Sequence, residues 1–152
     1  MPLDIRQREI EGILILDLNG RIVAGPDAAD LRRVVSSLIE RGTKNMILNL
    51  KEVDYIDSTG LGSLVIVHSS CEKAGGAMRL LSVPKRSAEL MVLTKLSTVF
   101  QIFDEEQAAI NSFFPDREVR RFDILEFVKS HEDEAQHLGA EEKDGEPKAS
   151  EA

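Results

Sequence analysis

The run Asp57-Ser58-Thr59-Gly60-Leu61-Gly62 sets two hydroxyl side chains between a carboxylate and two glycines, directly before an apolar helical pattern. Leu61, Leu64, Val65, His68 and Cys71 recur after it at helical spacing. Before it, Asn45 to Leu50 reads as a short apolar strand and Lys51 to Ile56 as its exit loop. Asp57 is suited to cap the helix, because its carboxylate can accept from backbone N–H groups that have no partner in the first turn. Ser58 then falls in that turn, exposed and beside the positive end of the helix. A phosphate esterified to it would meet an anion-binding helix end, so Ser58 is the predicted phosphoacceptor and Thr59 the alternative. Ser and Thr also begin many helices as plain capping residues, with no regulatory role. Gly60 and Gly62 each weaken a helix by roughly 0.8–1.0 kcal/mol against alanine and therefore need a reason. Either a partner's backbone approaches this end of the helix, or the helix packs closely on its own sheet.

Other chemistry finds little support. Ser58 lies in Ile56-Asp57-Ser58-Thr59-Gly60, not in a G-x-S-x-G elbow, and neither a Walker lysine motif nor G-x-G-x-x-G occurs. His68 follows Ser58 by ten residues, about 15 Å along a helix, too far to activate it directly. A core or partly buried histidine is the better assignment. His131 and His137 sit in an acidic stretch without cysteine partners, so metal-ligand spacing is absent and neither metal nor cofactor is expected. Asp54 and Asp57 are read as a loop-turning and a capping residue rather than as a catalytic pair. The expectation is a binding module and not an enzyme.

The elements that position Ser58 follow from the rest of the pattern. Leu3 to Ile10 and Ile13 to Leu18 are two apolar runs separated by Glu11-Gly12, which predicts a tight hairpin. Gly20 to Asp27 reads as a loop, with Asp27 capping a helix that carries Leu31, Val34, Val35, Leu38 and Ile39 on one face. Gly42 supplies a left-handed stop. The Ser58 helix should end near Gly75-Gly76. Ala77 to Val83 is a further strand, and Pro84 leads into a helix of about ten residues bearing Leu90, Met91 and Leu93. Val99 to Phe103 is the last strand, and Asp104 caps a final helix with Ala108, Ile110, Phe113 and Phe114. Strands that alternate with helices after a hairpin imply parallel pairing and right-handed crossovers. The predicted fold is α/β: one single-layer mixed sheet of four to five strands with about four helices, plus a C-terminal extension.

The 152 residues suit one domain of residues 1–115, a short amphipathic extension over 116–129 and an acidic tail over 130–152. Residues 1–115 hold 15 acids and 13 bases, whereas 116–152 hold 12 acids and 6 bases, so the tail carries most of the net charge of −8. An acidic chain without a basic stripe repels nucleic-acid phosphates, which argues against DNA or RNA as partner. No apolar run approaches the roughly 18–20 residues that cross a bilayer, and the first residues lack a signal peptide's apolar core. A lone Cys71 on an apolar helix face fits a small core residue in a reducing cytoplasm. Phe122, Ile124, Leu125, Phe127 and Val128 could dock on the domain, on a second copy to give a homodimer, or on a partner. The tail beyond them is too polar to fold by itself.

Residues Met46 to Leu50, Asp54 and the Asp57–Gly62 run resemble the phosphoacceptor segment of the STAS domain family, most closely of the bacterial anti-sigma factor antagonists. The element order over about residues 3–114 is similar too. The resemblance implies that an anti-sigma factor serine kinase phosphorylates Ser58, and that the unmodified form binds that kinase and so frees a sigma factor for transcription. A PP2C-type phosphatase would reset the switch. It further implies a partner surface of Asp54, Asp57, Ser58, Thr59, Gly60, Leu61 and Gly62. The loop after the second strand flanks that surface. Many family members carry an acidic residue shortly after its glycine, but here Gly20-Arg21-Ile22 leads to Val23, so Arg21 and Val23 join the expected contact set. The extension from about Asp116 also departs from the family's minimal domain. Two other readings stay open: a STAS scaffold subunit of a stress-signalling complex, and a nucleotide-binding STAS domain.

Overall fold

The computed structural model describes residues 2–119 and 122–130. The expected acidic tail, with His131 and His137, lies outside the described residues from position 131 on. Two compact units emerge, Met1–Phe122 and Asp123–Ala152.

In the first unit β1 (Asp4–Ile10) and β2 (Ile13–Ile22) pair antiparallel, from Asp4 opposite Asn19 to Ile10 opposite Ile13. Glu11 and Gly12 join them with φ of 55° and 82°, as a two-residue turn that follows the sheet's twist requires. The chain continues through α1 (Pro26–Glu40), β3 (Asn45–Ile56), α2 (Ser58–Lys73), β4 (Ala77–Leu81), α3 (Lys85–Leu93), a 3-10 turn at Leu96–Thr98, β5 (Gln101–Phe103) and α4 (Glu106–Asn111). The five strands lie in sequence order, and every pair after the hairpin is parallel. Each parallel step advances in the same direction, so right-handed crossovers stack α1, α2 and α3 on one face. Leu16, Leu18, Met46, Leu48, Leu50, Met78 and Leu80 are buried on that side. On the other face Ile13, Ile15, Ile47, Leu81 and Phe103 pack with Ala108, Ala109 and Ile110 of α4. In the second unit residues 124–130 form a helical segment begun by Asp123, whose carboxylate accepts from the Glu126 N–H at 3.0 Å.

The expected mixed α/β sheet is therefore present, with several boundaries moved. Residues 51–56 are not an exit loop: β3 runs on to Ile56 and pairs with an equally extended β2. Leu50, Val53 and Ile56 are buried there at every third position, because register shifts after Asp17 and Gly20 break the alternation that marks a strand. The loop expected from Gly20 shrinks in the same way to the few residues after Ile22. Gly25, not Asp27, precedes α1, with Pro26 in its first turn. Asp27 instead accepts from the Leu3 N–H at 3.1 Å. Glu105 rather than Asp104 precedes α4, which ends before Phe113 and Phe114. The last strand begins at Gln101, since Leu96–Thr98 turns first. Leu93, expected on an apolar face, is 79% exposed.

The two glycines of α2 separate in role. A Cβ on Gly60 would stand 1.9 Å from the Ile22 carbonyl oxygen, so close packing of α2 on the end of β2 explains this residue. A Cβ on Gly62 would meet nothing within 4 Å. Alanine at Gly62 should therefore raise stability by up to about 0.8–1.0 kcal/mol. Alanine at Gly60 should lower it by about 1–3 kcal/mol through overpacking against backbone that cannot yield. Chemical denaturation of the two variants checks this, and equal stabilities would contradict the packing.

A polar bridge fixes α4 to its face of the sheet. Arg8 on β1 donates to Asp17 at 2.6 Å and to Glu106 at 2.6 Å, and Asn49 donates to Asp17 at 2.8 Å. Burial is the strongest single influence on the Asp17 carboxyl and opposes its ionisation. The hydrogen bonds from Arg8 and Asn49, with the charge of Arg8, outweigh it and hold the group below its usual range. Such a group stabilises the fold fully above the unfolded carboxylate value of about 3.9 and loses that contribution as pH falls through the folded value. Melting temperature should accordingly fall more steeply below about pH 4 in the native chain than in Asp17→Asn. Parallel profiles would remove Asp17 from the acid response.

Candidate functional site

Ser58 is the first residue of α2 and is exposed, with Thr59 beside it. Both positions depend on Asp57, which sits in an extended conformation at the N-cap. One carboxylate oxygen accepts from the Gly60 N–H at 2.7 Å, and the other from the Ala24 N–H at 2.9 Å. The Asp57 N–H in turn donates to the Ile22 carbonyl at 3.2 Å. The end of β2 and the start of α2 are thus tied through one side chain. The hydrogen bonds from Ala24 and then Gly60 keep the Asp57 carboxyl below its usual range.

The other expected site residues are distributed around this turn. Gly60 and Leu61 are buried under it, and Gly62 is exposed one turn further along. Arg21 is exposed on β2 opposite Tyr55 of β3. Val23 is half-buried, and its carbonyl accepts from the Ala28 N–H at the start of α1. Asp54 is exposed on β3 rather than in a loop, and it does not line the cavity described next.

Between the C-terminal end of β3, the first turn of α2 and the helix α3 lies an open groove of about 400 Å³. Tyr55, Ile56, Asp57 and Ser58 line one side, and Arg86, Ser87, Glu89, Leu90 and Leu93 the other. Tyr55 is 41% exposed along it. The α3 side was not foreseen from the sequence. Its signal was Lys85-Arg86 in the first turn of a helix with no acid there, the reverse of what a helix N-terminus favours.

Neither His68 nor Cys71 belongs to this site. His68 is half-buried and meets the Phe100 ring edge-on at a centroid distance of 5.6 Å, and its imidazole lies 3.7 Å from Glu72. Cys71 is fully buried, and burial pushes its thiol up to about 11, which keeps it protonated and unreactive. Among the described residues no three His, Cys, Asp or Glu side chains group as a metal site requires, and no helix is long and apolar enough to cross a membrane.

Comparison with known proteins places this arrangement. The anti-sigma-B factor antagonist of Bacillus subtilis is 29% identical over 110 residues, which is 72% of this chain and 99% of that protein. The solved structure of the Thermotoga maritima protein tm1081 superposes with a TM-score of 0.67 at 24% identity, over 72% of this chain and 93% of that one. The Bacillus cell fate determinant SpoIIAA in its phosphorylated form gives a TM-score of 0.58 at 18% identity, over 72% of this chain and 98% of that one. Both structures share the fold. The STAS domain family model matches residues 4–109. The hairpin, the three crossovers and the Asp57–Gly62 turn all fall inside that match, and the chain belongs to the STAS domain family.

Proposed function

We propose that this chain is an anti-sigma factor antagonist, a binding module that captures an anti-sigma factor serine kinase while Ser58 is unmodified and releases it once Ser58 is phosphorylated. The observation that carries this reading is the exposed Ser58 hydroxyl on a turn held rigid from below by Asp57 and Gly60. A kinase can reach the hydroxyl without unfolding the domain. In the transfer, Ser58 Oγ attacks the γ-phosphorus of the kinase's ATP, the bond to ADP breaks, and the hydroxyl proton passes to a base of the kinase. The names of relatives agree: the Bacillus subtilis protein is an anti-sigma-B factor antagonist, and SpoIIAA, which shares the fold, exists in a phosphorylated form.

The switch works through local charge. Phosphoserine adds about −1.5 to −2 charges. Because Ser58 points outward, the domain absorbs this charge without rearranging, whereas an interface that must desolvate the same spot does not. A penalty of about 3 kcal/mol at the interface weakens binding roughly hundredfold. Gly62 extends the contact surface, since its open Cα lets a partner's backbone approach α2 closely. A PP2C-type phosphatase would restore the binding form, and the contact set includes Thr59, Arg21 and Val23 around the serine, with Leu61 buried beneath them.

Incubation with ATP and the serine kinase anti-sigma factor of the same genome should add a single phosphate to the intact mass, mapped to Ser58 by fragmentation. Ser58→Ala should take up none. Phosphate on Thr59 would move the acceptor by one residue. No phosphate with a demonstrably active kinase would favour a scaffold subunit whose contacts are not switched at this turn.

A further inference from the structure

At the helix end beside Ser58 the Gly60 amide is already taken. Asp57 takes the Gly60 N–H with one carboxylate oxygen and the Ala24 N–H with the other, leaving a full negative charge next to the acceptor serine. A phosphate on Ser58 therefore cannot use the Gly60 amide that a capping anion would take. It also faces repulsion from Asp57. A cation outside α2 can supply the stabilisation that this amide does not.

The groove supplies one. Arg86 lines it together with Ser58 and is exposed on the first turn of α3. Among the described residues its guanidinium takes part in no hydrogen bond or ion pair. Glu89 lines the same groove one turn further on and, among the described residues, forms no ion pair with it. A base in the first turn of a helix works against the helix's own positive end, so the fold gains nothing from Arg86 at this place. Guanidinium binds phosphate by two parallel N–H donors, and a charge-assisted pair of this kind is about twice as strong as a neutral hydrogen bond.

We propose that Arg86 is the intramolecular cation that receives the phosphate on Ser58, which makes the groove between α2 and α3 the seat of the phosphoryl group. This rests on Ser58 being the acceptor. Pairing with Arg86 offsets the repulsion of the phosphate by Asp57 and Glu89 and seats it beside the apolar wall of Tyr55, Leu90 and Leu93. Phosphorylation then changes the partner surface twice, by adding charge at the serine and by closing the groove beside it.

The test uses the full chain with phosphoserine installed at position 58 during translation, so that its outcome does not depend on any kinase. The second ionisation of the phosphate is followed by phosphorus NMR against pH, in the native background and in Arg86→Gln, Arg86→Lys and Lys85→Gln. Lys85→Gln removes the same charge from the neighbouring residue, which does not line the groove. Against an ordinary value of about 6, the native background should titrate lower, and Arg86→Gln should move it up by about one unit. Arg86→Lys should fall between these two, and Lys85→Gln should stay near the native value. Equal shifts in Arg86→Gln and Lys85→Gln, or no shift in either, would overturn the assignment. Failure of the kinase to modify Ser58, by contrast, would fall on the proposed function and leave this titration unaffected.

Discussion

One carboxylate holds the site together. Asp57 accepts from Ala24 on the exit of β2 and from Gly60 inside α2, so the loop that leads to α1 and the turn that presents Ser58 cannot move independently. Gly60 makes the bond possible, since any larger residue would drive α2 away from the Ile22 carbonyl and lengthen both contacts. Rigidity at this point matters to the proposed transfer of phosphate to a hydroxyl. A kinase gains most from an acceptor whose position is already fixed, and a binding partner loses least ordering entropy on a surface that does not rearrange.

The same carboxylate shapes the electrostatics. A bare helix N-terminus would welcome a phosphate and dilute its effect on a partner. With Asp57 in place, the amide of Gly60 is committed and the region next to Ser58 is already negative. A phosphate there raises the local charge density instead of completing a cap. The proposed switch depends on that difference: a modification that the fold tolerates and an interface does not. The crossover helices on one face and the Arg8–Asp17–Glu106 bridge on the other hold the sheet steady beneath it.

Much of this was legible in the residues. The hairpin, the order of strands and helices, the cap at Asp57, the exposure of Ser58 and the burial of Cys71 all follow from periodicity, capping chemistry and composition. The extension of β3 to Ile56 did not, because two register shifts turn the usual alternation into a period of three and leave Lys51, Glu52, Asp54 and Tyr55 outward. Gly60 and Gly62 look alike in sequence, and only the approach of the Ile22 carbonyl distinguishes them. The α3 wall of the groove was hidden for a different reason. Lys85 and Arg86 resemble any solvated pair until the fold brings Arg86 to the groove that Ser58 lines.

The measurement that tests the account most directly is a calorimetric titration of the anti-sigma factor serine kinase with the unmodified chain and with the chain phosphorylated at Ser58. The account predicts tight binding of the first and at least about a hundredfold weaker binding of the second. Equal affinities would contradict it and separate the Ser58 turn from partner release.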